Sequence, residues 1–355
     1  MVARARAAGL SIAPRQIFQH QTVAELAAVA EAAPAASAAD EPLDGDVPLT
    51  PIQRWFFDHV GEHPHHWNQS VLLELRAPVA AEALEAAVVA VAEHHEALRL
   101  RFTCEGGVWR QRHGGAAGAE VARVDLSGVP DAERAAALSR AAGPWQARLH
   151  LSEGPLLRAV LFDLGAARRG RLLLVAHHLV VDAVSWRILL EDLETALRQR
   201  AVGEEIRLPA RTTAFGSWAR RLAARAQSEE VARQADAWID AARGTAPLPA
   251  DDPAGAGLEG DTVRRTDRLD EGETRALLAA TSAYRARVDE LLLTALGGAL
   301  ARWTGEPAVL VEVEGHGRDA LDDADVSRTV GWFTSLYPVR LEVPPDAACD
   351  ERSRR

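Results

Sequence analysis

Two adjacent histidines and an aspartate interrupt the segment LLLVAHHLVVDAVSWRILLEDL, where a strand-like pattern gives way to a helical one. Successive side chains of a strand point to opposite faces, so we expect one of His177 and His178 to face the core and the other a cleft. Ser185 is placed to cap the following helix, whose amide-rich N-terminus would favour a developing anion nearby. An imidazole in such a place can move protons near neutral pH. Two other interpretations remain open: both histidines are hydrogen-bonded core groups, and Asp182 is a buried carboxylate paired with an arginine, which we prefer to a catalytic role.

A glutamate at the end of a second strand-like segment, VLVEVEGHGRD, could also do chemistry. Apolar and polar residues alternate there until the pattern stops at Gly315 and Gly317. Glu314 therefore sits at a strand end, next to glycines that let a backbone or a ligand approach closely. A solvated strand face is the other interpretation, and for Glu312 it is a reasonable one.

The elements that would position these residues follow from apolar periodicity. Helices are predicted for QTVAELAAVAEAA, with Thr22 as its cap, for the segment that precedes a strand beginning near Leu98, for SWRILLEDLETALRQR and for RVDELLLTALGGALARW. Strands are predicted for RLLLVAHH and AVLVEVEG. On one side of the last helix lie the apolar residues Leu292, Ala295, Leu296, Ala299 and Trp303. Helices and strands alternate without an internal repeat, so the predicted fold class is α/β or α+β.

Composition excludes several classes of function. The 355-residue chain is 48% hydrophobic and 26% charged, as a folded globular protein is, and its formal net charge of −11 disfavours nucleic-acid or anionic-membrane binding. The sequence contains no lysine, so no lysine side chain is available for a Schiff base. Cys104 and Cys349 lack the spacing of a disulfide framework or a zinc site, and we expect no metal. No apolar run approaches the roughly 20 residues needed to span a bilayer. We expect a soluble protein of the cytoplasm.

Five segments in order along the chain resemble motifs of one family, the epimerization domains of nonribosomal peptide synthetases, which belong to the condensation-domain superfamily. They are LTPIQRWFF at 49–57, HHWNQS at 65–70, HHLVVDAVSWR at 177–187 (similar to the HHxxxDG signature), EGHGRD at 314–319 and DVSRTVGWFTSLYPV at 325–339. The N-terminal segment 9–27 is similar to the last helices of a peptidyl carrier domain. The resemblance covers nearly the whole chain.

The resemblance implies a V-shaped fold of two similar lobes, related to chloramphenicol acetyltransferase, with the active site between them. It implies L-to-D inversion at the α-carbon of an aminoacyl or peptidyl thioester. His178 and Glu314 would be catalytic, and His177, Asp182, Ser185 and Arg318 would support the site, with Arg318 the nearest candidate partner for Asp182. The domain itself would bind no cofactor. A peptidyl carrier domain would present the substrate on phosphopantetheine, and neighbouring synthetase modules would be the other partners.

The same resemblance divides the chain. Residues 1–33 would be the C-terminal remnant of a carrier domain, 34–47 a linker, 48–243 the first lobe, 244–261 a loop-rich connection and 262–355 a partial second lobe. The carrier serine is missing and family domains run further than this sequence, so we expect a chain truncated at both ends. Ala183 replaces the glycine of HHxxxDG, which would strain the loop if that position needs a left-handed conformation.

Two alternatives to epimerization remain. A condensation domain would use His178 to assist an amine attacking a thioester, but such domains do not usually carry the glutamate of EGHGR, so Glu314 favours epimerization. A truncated, inactive fragment that binds a carrier domain, or nothing, is the non-enzymatic alternative.

Overall fold

The computed structural model describes residues 5, 9–12, 20, 22–32, 45–61, 63–115, 119–245, 247–255, 259–319, 321 and 324–343. Most of the predicted linker at 34–47 lies outside these residues, as does Cys349. The chain divides into two compact units: a first unit, Met1–Ser228 with His316–Ser335, and a second unit, Glu229–Gly315 with Leu336–Arg355. The segment His316–Ser335 therefore groups with the first unit, although it follows most of the second in sequence.

The first unit contains nine described strands and six described helices. The strands are β1 (Leu10–Ser11), β2 (Glu31–Ala32), β3 (Asp46–Val47), β4 (Asn68–Glu74), β5 (Leu100–Glu105), β6 (Val108–His113), β7 (Glu120–Asp125), β8 (Leu157–Asp163) and β9 (Arg171–His177). The helices are α1 (Val23–Val29), α2 (Pro51–His59), α3 (Ala81–His94), α4 (Asp131–Gln146), α5 (Ala183–Ala201) and α6 (Phe215–Ala226).

A four-stranded sheet in the order β4-β9-β8-β7 forms the centre of the first unit. β9 is antiparallel to β4 and to β8, whereas β7 and β8 are parallel. Both faces of the two central strands are covered, which explains why β8 and β9 are apolar almost throughout. On one face, Val160, Phe162, Leu173 and Val175 are buried with Leu149 and touch side chains of α4 such as Leu138 and Trp145. On the other, Leu157 and Leu174 meet α3 and α5.

The first unit also contains a smaller antiparallel sheet, in the order β3-β6-β5. β5 and β6 form a hairpin in which Cys104 pairs with Trp109 and Glu105 with Val108. Its turn consists of Gly106 and Gly107, both with positive φ (58° and 80°), as the tight connection requires.

The second unit contains helices α7 (Glu229–Ala232), α8 (Ala235–Ala242), α9 (Glu271–Tyr284) and α10 (Val288–Thr304), with strands β10 (Ala308–Gly315) and β11 (Ser335–Glu342). β10 and β11 pair with each other. Buried Gly297 of α10 lies against β11: a Cβ atom there would be 3.2 Å from the Leu341 Cβ. The predicted apolar side of α10 is largely exposed, with Leu292 at 51% and Trp303 at 59%.

The mixed α/β class predicted from the sequence is confirmed, and each predicted helix and strand is present. The helix predicted over 21–33 is shorter than expected, because it ends at Val29 and Glu31–Ala32 pairs as β2 with β1. Thr22 caps α1 through a capping box with Glu25. The helix α3 stops at His94 and a short 3-10 turn, Glu96–Arg99, precedes β5, so the strand begins two residues later than predicted. No described helix is long and apolar enough to cross a membrane.

Candidate active site

His177, the last residue of β9, is fully buried and bonded at both ring nitrogens. Its Nε2 lies 2.7 Å from the Pro64 carbonyl oxygen, and its Nδ1 accepts the Leu179 amide at 3.1 Å. A carbonyl can only accept and an amide N–H can only donate, so His177 is neutral with its proton on Nε2. Burial lowers the pKa of His177 to about 4. This ring is built into the core and fixes the end of the strand.

His178 follows on the opposite face and is half-buried. Its Nδ1 lies 3.0 Å from the Val181 carbonyl oxygen, and its Nε2 lies 2.8 Å from the Gln69 side-chain amide nitrogen. The ring of Trp332 lies over it, with a centroid separation of 4.4 Å. The two neighbouring histidines therefore have different surroundings, as the strand alternation predicts.

Asp182, not Ser185, caps α5, which corrects the prediction from sequence. The Asp182 Oδ1 accepts the Ser185 amide at 2.7 Å, and Ser185 lies within the first turn of the helix. Aspartate and serine are comparable caps, so only the point at which the chain enters the helix could decide between them. The Ser185 hydroxyl instead contacts Asp182 Oδ1 at 2.8 Å and the Gly331 carbonyl oxygen at 2.9 Å.

Arg318 is the arginine that pairs with Asp182. Its Nη2 lies 2.8 Å from Asp182 Oδ1 and 3.0 Å from Oδ2, and both side chains are less than a tenth exposed. Its Nη1 donates to the carbonyl oxygens of Val326 and Thr329, each at 2.8 Å. Burial lowers the pKa of Arg318, and the carboxylate of Asp182 acts in the opposite direction. The pair joins the start of α5 to the segment His316–Ser335.

Ala183, the residue in place of the signature glycine, is the first residue of α5 and does not have positive φ. The extra methyl group is exposed. The left-handed conformation that would have strained the loop is therefore not needed at this position.

Glu314 is an exposed carboxylate near the end of β10 in the second unit, and Glu312 is exposed on the same face two residues earlier. Gly317, shortly after the strand, has φ of 63° and belongs to the first unit. Its missing side chain allows the Phe333 carbonyl to approach, since a Cβ atom would collide with that oxygen.

Three residues that contact the site were not singled out from the sequence: Gln69, Trp186 and Trp332. Gln69 lies within the segment HHWNQS, but its contact with His178 spans 109 positions. Only the pairing of β4 with β9, in which Gln69 stands opposite Ala176, brings the two side chains to one face. Nothing in the sequence pattern gives that register.

One side-chain cluster of the first unit has the residue types of a metal site: His94, His95 and Asp192, whose ligand atoms lie within 4.8 Å of one another. His95 Nε2 is 2.9 Å from Asp192 Oδ2, and Arg328 binds the other carboxylate oxygen. Burial lowers the pKa of His94 to about 4. A guanidinium already neutralises the carboxylate, so the cluster is better explained as a buried ion-pair network than as a cation site.

The sequence was compared with protein families and with curated proteins. A family model described as Condensation domain matches residues 44–353. The chain belongs to the condensation domain family. It is 46% identical over 360 residues to a linear gramicidin synthase protein of Brevibacillus parabrevis, covering 100% of this chain and 7% of that protein. It is 44% identical over 352 residues to a chondramide synthase of Chondromyces crocatus, covering 97% and 9%. The chain thus spans less than a tenth of either relative.

Solved structures of the family agree in fold. The epimerization domain from the third module of tyrocidine synthetase B matches with a TM-score of 0.72 and 35% identity, over 85% of this chain and 68% of that one. The X-domain from teicoplanin biosynthesis also matches with a TM-score of 0.72, over 86% of this chain and 68% of that one, but at 24% identity it shows the fold alone.

Proposed function

We propose that this condensation-family chain is an epimerization domain of a nonribosomal peptide synthetase. It would invert the α-carbon of an aminoacyl or peptidyl thioester that a peptidyl carrier domain presents on its phosphopantetheine arm. The observation that carries the choice is the 35% identity to the tyrocidine synthetase epimerization domain, against 23% for the first condensation domain of the calcium-dependent antibiotic synthetase.

Inversion needs two proton transfers on opposite faces of one carbon. A base removes the α-proton, the electron pair moves onto the thioester oxygen as an enolate, and an acid returns a proton to the other face. Two side chains suit these roles: His178, whose imidazole is half-buried and held by hydrogen bonds, and Glu314, an exposed carboxylate at a strand end. Both must reach the same α-carbon, one acting as the base and the other as the acid.

His177, Asp182, Ser185 and Arg318 have a supporting role in this proposal. His177 fixes the end of β9 and Asp182 fixes the start of α5, so the short turn that carries His178 is held on both sides. Arg318 and Ser185 attach the segment His316–Ser335 to the same place. None of the four needs to contact the substrate.

The proposal is tested by α-proton exchange. The chain is mixed with carrier proteins loaded with L-phenylalanyl, L-leucyl or L-valyl phosphopantetheine in deuterium oxide, and α-deuteration and D-isomer are measured. We expect His178→Ala and Glu314→Gln each to lower the exchange rate at least about 100-fold, the lower range for loss of an acid or base. Glu312→Gln, which neutralises a carboxylate two residues away on the same face, is the matched control and should keep the rate.

Two other outcomes would replace the proposal. Condensation is the second candidate, because the matching family model carries that name. Peptide-bond formation between two carrier-bound aminoacyl groups, lost in His178→Ala but retained in Glu314→Gln, would establish it. Absence of both reactions, with carrier binding retained, would make the chain a binding module.

A further inference from the structure

A chain of three hydrogen bonds fixes the imidazole of His178 from two elements of the first unit. The indole Nε1 of Trp186, on α5, lies 2.8 Å from Gln69 Oε1. The amide nitrogen of Gln69, on β4, lies 2.8 Å from His178 Nε2. His178 Nδ1 then lies 3.0 Å from the Val181 carbonyl oxygen.

The groups at the two ends of this series of hydrogen bonds fix which atom donates and which accepts in each bond. An indole N–H can only donate, so the Gln69 oxygen must face Trp186 and its NH2 group must face His178. A carbonyl oxygen can only accept, so His178 Nδ1 must carry a proton for Val181. Both ends require the same state of His178: a neutral ring, with the proton on Nδ1 and the lone pair on Nε2.

The elements hold these groups in register. Gln69 stands opposite Ala176 in the β4–β9 pair, and the His178 amide continues the pairing by donating to the Trp67 carbonyl at 2.9 Å. Gln69 and His178 therefore share one face of the sheet. Trp186 is 8% exposed on α5, whose start Asp182 fixes, so the donor that sets the amide orientation has little freedom.

We propose that Gln69 is a positioning residue that, oriented by Trp186, holds His178 as a neutral base with its lone pair on Nε2. The functional part of this inference rests on the proposed epimerization. A proton on Nε2 would face the amide N–H of Gln69, so the hydrogen bond between Gln69 and His178 forms only while Nε2 is unprotonated. When His178 takes the α-proton, the Gln69 hydrogen bond to Nε2 breaks and the new N–H replaces it.

The tautomer is measured directly. In the 355-residue chain labelled with 15N-histidine, long-range proton–nitrogen spectra at pH 7 should show His178 with a protonated Nδ1 and an unprotonated Nε2, the signals being assigned with His178→Ala. In Gln69→Leu the ring loses the amide, and we expect a mixture of tautomers. In Gln69→Glu one carboxylate oxygen can accept from Trp186 while the other faces Nε2, and we expect both ring nitrogens protonated.

The rate of α-proton exchange should change together with the tautomer of His178. We expect at least a 10-fold loss of α-proton exchange in Gln69→Leu and a larger loss in Gln69→Glu. Because glutamate is nearly isosteric with glutamine, a residue that served only in packing would tolerate the second change. Trp186→Phe, which keeps the aromatic ring and removes the donor, should shift the tautomer towards protonated Nε2. Ser70→Ala is the matched control, because Ser70 is exposed next to Gln69 and bonds to Gln146 instead.

The outcomes separate the two proposals. An unchanged His178 tautomer in Gln69→Leu and Gln69→Glu overturns the positioning role, whatever the activity. A changed tautomer with exchange that persists in His178→Ala supports the hydrogen-bond chain and rejects His178 as the acid–base group. A faster reaction in Gln69→Leu would also overturn the proposal, since it would show that the amide only blocks Nε2.

Discussion

The adjacent imidazoles of His177 and His178 carry their protons on opposite nitrogens. His177 donates from Nε2 to Pro64, whereas His178 donates from Nδ1 to Val181, because in each case the partner is a carbonyl oxygen that can only accept. One ring presents its lone pair to a backbone amide of the turn and the other to the side chain of Gln69. The dipeptide therefore has one histidine that shapes the turn and one whose ring is bonded to the side chain of a neighbouring strand.

Acid should destabilise the chain through His177. Its pKa is about 4 in the folded state, against about 6.5 in an unfolded chain, because burial disfavours the charged ring. The unfolded state therefore binds a proton first as the pH falls. The stability that neutral His177 contributes is fully present above pH 6.5, and about 3 kcal/mol of the free energy of unfolding is lost as the pH falls to about 4. Urea unfolding at pH 7, 6 and 5 measures it.

The control is His177→Gln, which removes the titrating group. This variant should be less stable at pH 7 and should show a weaker decline between pH 6.5 and 5 than the unsubstituted chain. Equal slopes in the two proteins would show that His177 does not account for the acid sensitivity.

The pair of Asp182 and Arg318 should be a major source of stability. Asp182→Asn removes the charge but keeps one oxygen that can still accept the Ser185 amide, so the helix cap is retained. We expect the free energy of unfolding to fall by about 3–5 kcal/mol, because the guanidinium is left buried without a counter-charge. Chemical denaturation measures the loss.

A double-mutant cycle tests the cause. Arg318→Met together with Asp182→Asn should cost clearly less than the sum of the single changes, because no charge is then left alone. Asp319→Asn, at a neighbouring side chain that is 82% exposed, should have almost no effect. Strict additivity of Asp182→Asn and Arg318→Met would exclude a direct pairing energy.

At the scale of elements, the turn after β10 depends on the absence of a side chain at Gly317. An alanine there would need a left-handed backbone and would also collide with the Phe333 carbonyl. We expect Gly317→Ala to destabilise the chain by about 1–3 kcal/mol or more. The comparison is Gly203, two residues after the end of α5, which has φ of 77° and no neighbouring atom within 4 Å of an added Cβ. Gly203→Ala should show the strain alone, and equal losses would remove the collision from the explanation.

The elements around the site were well predicted where local pattern decides them. The apolar run of β9 and the periodicity of α5 are strong because both are buried on the core. The cap of α5 was wrong by three residues, since Asp182 and Ser185 are equally good caps and the entry of the chain into the helix is set by Arg318 and the segment His316–Ser335. Gln69 was missed for a related reason, because strand register is a long-range property.

At the scale of the whole molecule, residues 324–333 are held by the first unit. Thr213 donates its amide to the Asp325 carbonyl at 2.8 Å and accepts from Thr329 Oγ1 at 2.7 Å. Arg328 reaches Glu191 Oε2 at 3.1 Å and also binds Asp192. These bonds explain why a segment between two strands of the second unit groups with the first.

Hydrogen exchange should reveal this division. Asp192→Asn weakens the network of His95 and Arg328 and should speed amide exchange in residues 324–333 while leaving β10 unchanged. Gly297→Val, which places a side chain against Leu341, should speed amide exchange in β10 and leave residues 324–333 unchanged. Faster exchange of residues 324–333 in Gly297→Val would instead assign this segment to the second unit.

The chain passes from one unit to the other three times, after Ser228, Gly315 and Ser335. In recombination terms, the second unit is therefore not one continuous segment that can be exchanged alone. A chimera made with a single crossover near residue 228 would combine a native first unit with residues 316–335 of a relative. The arginine that the relative has at position 318 would then have to pair with the native Asp182. Exchanges between relatives are best drawn as two inserts, 229–315 and the part from 336 onward, with the residues between them inherited from the first unit.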